Sequence, residues 1–111
     1  MYSFDKTRRL LNKADYDYVF SQAKKITTQE FIILYRENNI GHARLGLAIA
    51  KKKVAKAHDR NYIKRIFRES FRMSSLPAVD IVILAKINIL HASKLITIES
   101  LIKAWDKLRT K

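Results

Sequence analysis

The sequence predicts an α+β fold, an α/β sandwich in which one small mixed sheet is packed with three helices. Three observations predict it. Segments with apolar residues at three- and four-residue spacing alternate with short β-branched or aromatic runs. Hydrophobic content of 48% with only two Gly and one Pro is that of a globular chain rather than a disordered one. A length of 111 residues suffices for one domain with one core and is too short for two. The order along the chain is α-β-β-(β)-α-β-α, with a short extra strand in reach near Ile26.

Residues 1–11 carry Lys6, Arg8 and Arg9 without apolar periodicity and read as an irregular, flexible basic arm. Asn12 can cap a helix, with Asp15 in its first turn. Tyr16, Val19, Phe20 and Ala23 follow at i, i+3, i+4 and i+7, one apolar stripe of a short helix over residues 13–23.

Residues 24–36 read as extended. FIILY, residues 31–35, is apolar on both faces, so this strand is covered on both sides. Phe31, Ile33 and Tyr35 share one face, Ile32 and Leu34 the other. Glu37, Asn38, Asn39, Ile40 and Gly41 make a turn, and RLGLAIA, residues 44–50, is the next strand, antiparallel to the first through that short connection.

A long helix covers residues 55–73 and is broken by Ser74, Ser75 and Pro77. DIVILA, residues 80–85, is a fully buried strand by composition, and residues 86–93 are a connection. Thr97 caps a last helix, with Ile98, Leu101, Ile102, Trp105 and Leu108 inward and Lys103, Lys107 and Arg109 outside.

Charge is concentrated in one element. The 22 residues KKKVAKAHDRNYIKRIFRESFR, 51–72, hold nine Lys or Arg against Asp59 and Glu69, more than half of the net +13. On a helical wheel Arg60, Asn61, Lys64, Arg65, Arg68 and Arg72 fall on one arc. Ile63, Ile66, Phe67 and Ser70 fall opposite, with Phe71 at the margin. Like charges four apart cost a few tenths of a kcal/mol per pair. A fold that keeps such a ladder has a use for it, and a phosphate backbone is the fitting partner. Lys51, Lys52 and Lys53 lead into this face.

Catalytic constellations are poor. There is no Cys, hence no disulfide, no thiolate metal site and no Cys nucleophile. His42, His58 and His91 lack metal-ligand spacing and read as structural or surface residues. Asp15 with Asp17, and Asp59 with Glu69, read as solvated or capping rather than as acid–base pairs. No Gly-rich phosphate loop or Ser/His/Asp pattern appears. No catalytic and no metal-binding residue is therefore assigned, and the residues describe a binding protein. The longest apolar run, 81–85, is far below the ~20 residues a bilayer needs. The first 20 residues have no secretory core either, so a cytoplasmic location without a membrane partner is expected.

Tyr16 and Phe20 lie one helical turn apart and admit two readings. They are core residues, or they form a stacking platform for single-stranded nucleic acid, where each base–aromatic stack is worth ~1–3 kcal/mol.

The pattern A-x-x-R-N-x-I-K-R-x-x-R-E-x-F-R, from Ala57 to Arg72, closely resembles the signature of the bacterial ribonuclease P protein component. RLGLAIAKK upstream, LPAVDIVILAK downstream and ADYDYVF near the start resemble that family's flanking blocks in the same order, so that the likeness spans about residues 8–108. Tyr62 stands where the family usually has a second Arg, and Ala55 replaces a frequent Gly.

The resemblance implies a left-handed β-α-β crossover, against the usual right-handed default. It implies the protein subunit of a ribozyme, an endoribonuclease holoenzyme that removes the 5′ leader of precursor tRNA, with Mg2+ held by the RNA and none by protein side chains. Arg60, Asn61, Lys64, Arg65 and Arg68 would bind the ribonuclease P RNA, and Tyr16 and Phe20 would line the cleft for the single-stranded leader. The protein would be monomeric, in a one-to-one complex with RNA.

The alternative is a general or ribosomal RNA-binding protein of similar fold with no role in tRNA processing. A DNA-binding helix-turn-helix module would need a helix just before the basic one, where RLGLAIA stands. A membrane-surface helix is disfavoured because the basic face belongs to a patterned domain.

Overall fold

Asn12 starts the first helix, α1 (Lys13–Ser21). Its Oδ1 accepts the Asp15 N–H at 3.0 Å, while Asp15 Oδ2 accepts the Leu11 N–H at 3.1 Å. Two donors that the helix cannot satisfy internally are thereby satisfied. The helix stops short of Ala23 because Gln22 leaves the helical backbone conformation and the next strand begins at Lys24. The structure is a computed structural model that describes residues 6–86, 89 and 94–109.

Four strands form one sheet: β1 (Lys24–Thr27), β2 (Phe31–Glu37), β3 (Arg44–Ala48) and β4 (Val79–Ala85). The extra strand near Ile26 is thus present. Thr28 closes the β1–β2 turn, its Oγ1 accepting from the Glu30 and Phe31 amides. The spatial order is β1-β2-β4-β3, with β3–β4 parallel and the other two pairs antiparallel. This corrects the expected pairing of the strands around residues 31–35 and 44–50. They run in opposite directions but do not touch, because β4 lies between them, with Ile81 facing Tyr35 on one side and Leu45 on the other. The reason is composition. VDIVILA is buried at every position but Leu84 and takes the sheet centre, while β3, with Gly46 and Ala48, takes an edge.

The long basic helix is α2 (Ala57–Arg72), and the parallel β3–β4 pair is joined through it. The last helix is α3 (Lys94–Arg109). Thr97 is therefore not its cap but lies inside the first turns, 4% exposed. Of the 86–93 connection, Lys86 and Ile89 are described; the remainder, with His91, lies outside the described residues, as do residues 1–5.

Strand alternation splits the apolar residues into two clusters. Phe31, Ile33, Leu45, Ile81 and Ile83 pack with Ile63, Ile66 and Phe67 of α2 and Leu101, Trp105 and Leu108 of α3. Phe71, expected at the margin of α2, is fully buried, edge-on to Trp105 and beneath the Arg8 guanidinium at 4.8 Å. Trp105 Nε1 donates to Ser70 Oγ at 2.8 Å, so the polar member of the buried face is used. On the other side of the sheet, Leu10, Val19 and Val82 form a smaller cluster beneath α1, with Tyr16, Ala23, Leu34 and Ala48 against it.

The basic arm is not irregular where it is described. Lys6–Arg8 form a 3-10 turn, Arg9 bridges Leu45, and the Leu10 N–H donates to the Leu45 carbonyl at 3.0 Å. The arm covers part of the free edge of β3, a form of edge protection.

One buried charge network was not anticipated from the sequence. Asp80 is 1% exposed. Arg44 grips it from the neighbouring strand through Nε at 2.9 Å and Nη2 at 2.7 Å, and Asn38 Nδ2 donates to it at 2.8 Å. The carboxylate beside it raises the Arg44 pKa above the ordinary arginine value, chiefly by hydrogen bonding. Removing one partner of such a pair strands the other, which costs about 3–5 kcal/mol. Asp80→Ala is expected to lower the denaturation midpoint accordingly, and an unchanged midpoint in a urea titration would refute the role.

Candidate nucleic-acid interface

Burial of Ile63, Ile66, Phe67 and Phe71 fixes the rotation of α2 about its axis. Asn61, Arg65, Arg68 and Arg72 therefore stand outward and exposed, and with Glu69 they line a shallow depression of about 440 Å³. Lys51, Lys52 and Lys53 are exposed in the turn that precedes the helix. Among the described residues, none of Lys51, Lys52, Lys53, Lys64, Arg65, Arg68 and Arg72 makes an ion pair. The face therefore carries its positive charge without internal neutralisation.

Arg60 departs from this group. It is half-buried, and its Nη1 donates to the Val54 and Ala55 carbonyls at 3.0 and 2.8 Å. Lys56, the residue before α2, offers no side-chain cap. Arg60 thus ties down the chain entering the helix. The wheel placed it among the outward cations because that bond depends on the path of the preceding loop. Tyr62 is 47% exposed.

Lys64 and Arg68 turn toward β3. With Arg9, Tyr16, Gly46 and Leu47 they line a groove of about 240 Å³. This groove brings together two candidate sites that are far apart in sequence, the basic helix and the aromatic pair of α1.

Tyr16 packs closely against Gly46: a Cβ at that glycine would come within 2.7 Å of its ring. Phe20 stacks with Tyr16 at 6.4 Å between centroids and 30° between planes, and is 47% exposed. Of the two open readings, core applies in part to half-buried Tyr16 and does not apply to Phe20. Ile32, Leu34, Ala48 and Leu84, on the same sheet face, are half-buried and provide an apolar floor.

The placement of α1 over this floor rests on residues that sequence reasoning missed. Arg36 of β2 donates from Nη1 to the Tyr18 carbonyl at 2.7 Å and to Ser21 Oγ at 3.0 Å, and its guanidinium lies 3.8 Å from the Tyr18 ring centre. The Tyr18 hydroxyl donates to the Glu37 carbonyl at 2.6 Å. At the other end of the helix, Asp15 lies 3.7 Å from Arg44. An Arg and an Asp within apolar strands were the available signal, since buried charges are paired. Among the described residues no three His, Asp or Glu converge as metal ligands, and no helix is long and apolar enough to cross a membrane.

The sequence model of the family described as Ribonuclease P matches residues 4–109. A ribonuclease P protein component from Legionella pneumophila (strain Lens) is 57% identical over 108 residues, which is 97% of this chain and 95% of the relative. The chain belongs to the ribonuclease P protein family. A ribonuclease P protein component from Pasteurella multocida is 45% identical, over 95% of this chain and 90% of the relative. Among solved ribonuclease P proteins, that of Staphylococcus aureus superposes with a TM-score of 0.80 at 28% identity, covering 90% of this chain and 93% of the other. That of Thermotoga maritima gives 0.78 at 26% identity, covering 89% and 96%. The three-helix, four-stranded arrangement is therefore the ribonuclease P protein fold, as the sequence resemblance implied.

Proposed function

We propose that the chain is the protein subunit of a ribonuclease P holoenzyme, binding the catalytic RNA through α2 and the 5′ leader of precursor tRNA in the cleft beside α1. The observation that carries this is the groove in which Lys64 and Arg68 of the basic helix meet Tyr16 of the cleft. One polyanion surface and one stacking surface are thereby continuous, as a single-stranded segment leaving a folded RNA requires.

The division of labour follows from the side chains. Arg65, Arg68 and Arg72, with the exposed Lys51, Lys52 and Lys53, meet phosphates of the RNA subunit. Arg60 positions the start of α2 for them. Tyr16 and Phe20 stack on leader bases. Leader contacts add affinity for precursor and none for mature tRNA, which has lost the leader, so substrate is favoured over product. The protein supplies no group to the bond cleavage; Mg2+ is held by the RNA. The basic surface also screens repulsion between the two RNAs. One protein acts per RNA, in the cytoplasm.

Cleavage of precursor tRNA by a bacterial ribonuclease P RNA at low magnesium, with and without this protein, tests the reading. Strong stimulation that yields the mature 5′ end is the expected result. A folded protein that binds RNA tightly and gives no stimulation, with its own cognate RNA supplied, would support a general RNA-binding role instead.

A further inference from the structure

Glu69 is out of place. It is exposed on α2, between Arg65 one turn before it and Arg72 three residues after it, and it lines the same depression as Asn61 and Arg68. A carboxylate there opposes the negative end of the helix dipole in the last turn and repels any polyanion laid on the face. Ion pairing is the usual compensation. Yet among the described residues Glu69 forms no ion pair or side-chain hydrogen bond, although two arginines stand at helical-neighbour spacing. Its carboxylate has no protein donor among the described residues and is open to one from outside, in a site that attracts RNA.

Resting on the reading of α2 as the RNA face, we infer that Glu69 reads an unpaired base of the RNA subunit. Its carboxylate accepts from the Watson–Crick edge, and Arg65 and Arg72 hold the flanking phosphates. At 1.5 Å rise per residue these arginines stand about 6 Å and about 4.5 Å along the axis on either side of it. Guanine is the best partner, because it presents two adjacent N–H donors that match both carboxylate oxygens; adenine and cytosine offer one amino group, uracil one imino N–H. A metal cation is disfavoured here, since three guanidinium groups share the depression. The inference accounts for the acid: on a phosphate-binding face it is tolerated where a neutral N–H donor arrives with the polyanion.

The sign of one substitution decides it. An acid that merely sits on the face repels RNA, so Glu69→Ala and Glu69→Gln would tighten binding. An acid that reads a base holds it, so both variants weaken binding, by about tenfold for a bidentate contact. The salt slope stays unchanged, because no phosphate contact is lost. The measurement is the affinity of each variant, and of Arg65→Ala, for transcribed ribonuclease P RNA across a salt series. A second arm uses RNA carrying inosine at random guanines, which lack the 2-amino donor. Sites where inosine impairs binding to the unaltered protein but not to Glu69→Ala identify the base. Weaker binding by both Glu69 variants together with such a site supports the inference. Equal or tighter binding, or no site whose effect depends on Glu69, overturns it. If Arg65→Ala also leaves affinity and slope unchanged, the reading of α2 as the RNA face falls with it.

Discussion

Replacing Arg65 and Arg68 together by alanine is expected to weaken binding of the RNA subunit by about two to four orders of magnitude, at about 1.5–3 kcal/mol for each hydrogen-bonded charge. The dependence on salt should change in step. Each lost phosphate contact removes roughly 0.7–0.9 from the slope of log affinity against log salt, so the pair should flatten it by about 1.4–1.8. Stability should hold or rise slightly. Both side chains are exposed, neither makes an ion pair among the described residues, and removing Arg68 relieves repulsion from Lys64 and Arg72 four residues away. Arg60 is left out of this test on purpose, because its bonds to the Val54 and Ala55 carbonyls would confound lost binding with a loosened helix start. An unchanged slope, measured by filter binding, would remove the phosphate-contact role from these residues.

Phe20→Ala is expected to narrow the affinity gap between precursor and mature tRNA by about five- to a hundredfold, the range of one base stack. The ring is 47% exposed, so the fold should tolerate its loss and circular dichroism should be unaltered. Tyr16→Ala should narrow the gap as well, with some loss of stability, since its ring covers Gly46 and packs on the small cluster beneath α1. The comparison is informative because one ring is free and the other is seated. A gap that survives Phe20→Ala would place the leader elsewhere. Binding of mature tRNA is the internal control, since it has no leader to lose.

Those two surfaces were legible in the sequence to different degrees. The outward face of α2 was, because helical periodicity is local and Ile63, Ile66 and Phe67 alone fix which side is buried. Phe71 was misplaced at the margin because its burial comes from Trp105 and Arg8, residues far along the chain. Strand existence was legible for the same local reason that helices were. Pairing was not: turn length suggested β2 with β3, whereas the apolar length of β4 decides who takes the centre. Thr97 carried a capping side chain, but residues 94–96 are compatible with helix, so the helix runs through it. The clamps on α1, from Arg36 and the Arg44–Asp80 network, join residues that a linear reading has no means to associate.

The central place of β4 also orders events during synthesis. The β1–β2 hairpin can close once Glu37 is made, but β3 has no strand to join until β4 has followed it. From Ala48 to Ala85 the ribosome must add 37 residues, a few seconds at about 5–20 residues per second. For the last 13 of those residues, after Arg72, the nascent chain displays its most cationic helix before the surface that buries the helix's apolar side is complete. A chain arrested in that window would carry the charge that attracts RNA without the fold that disciplines it.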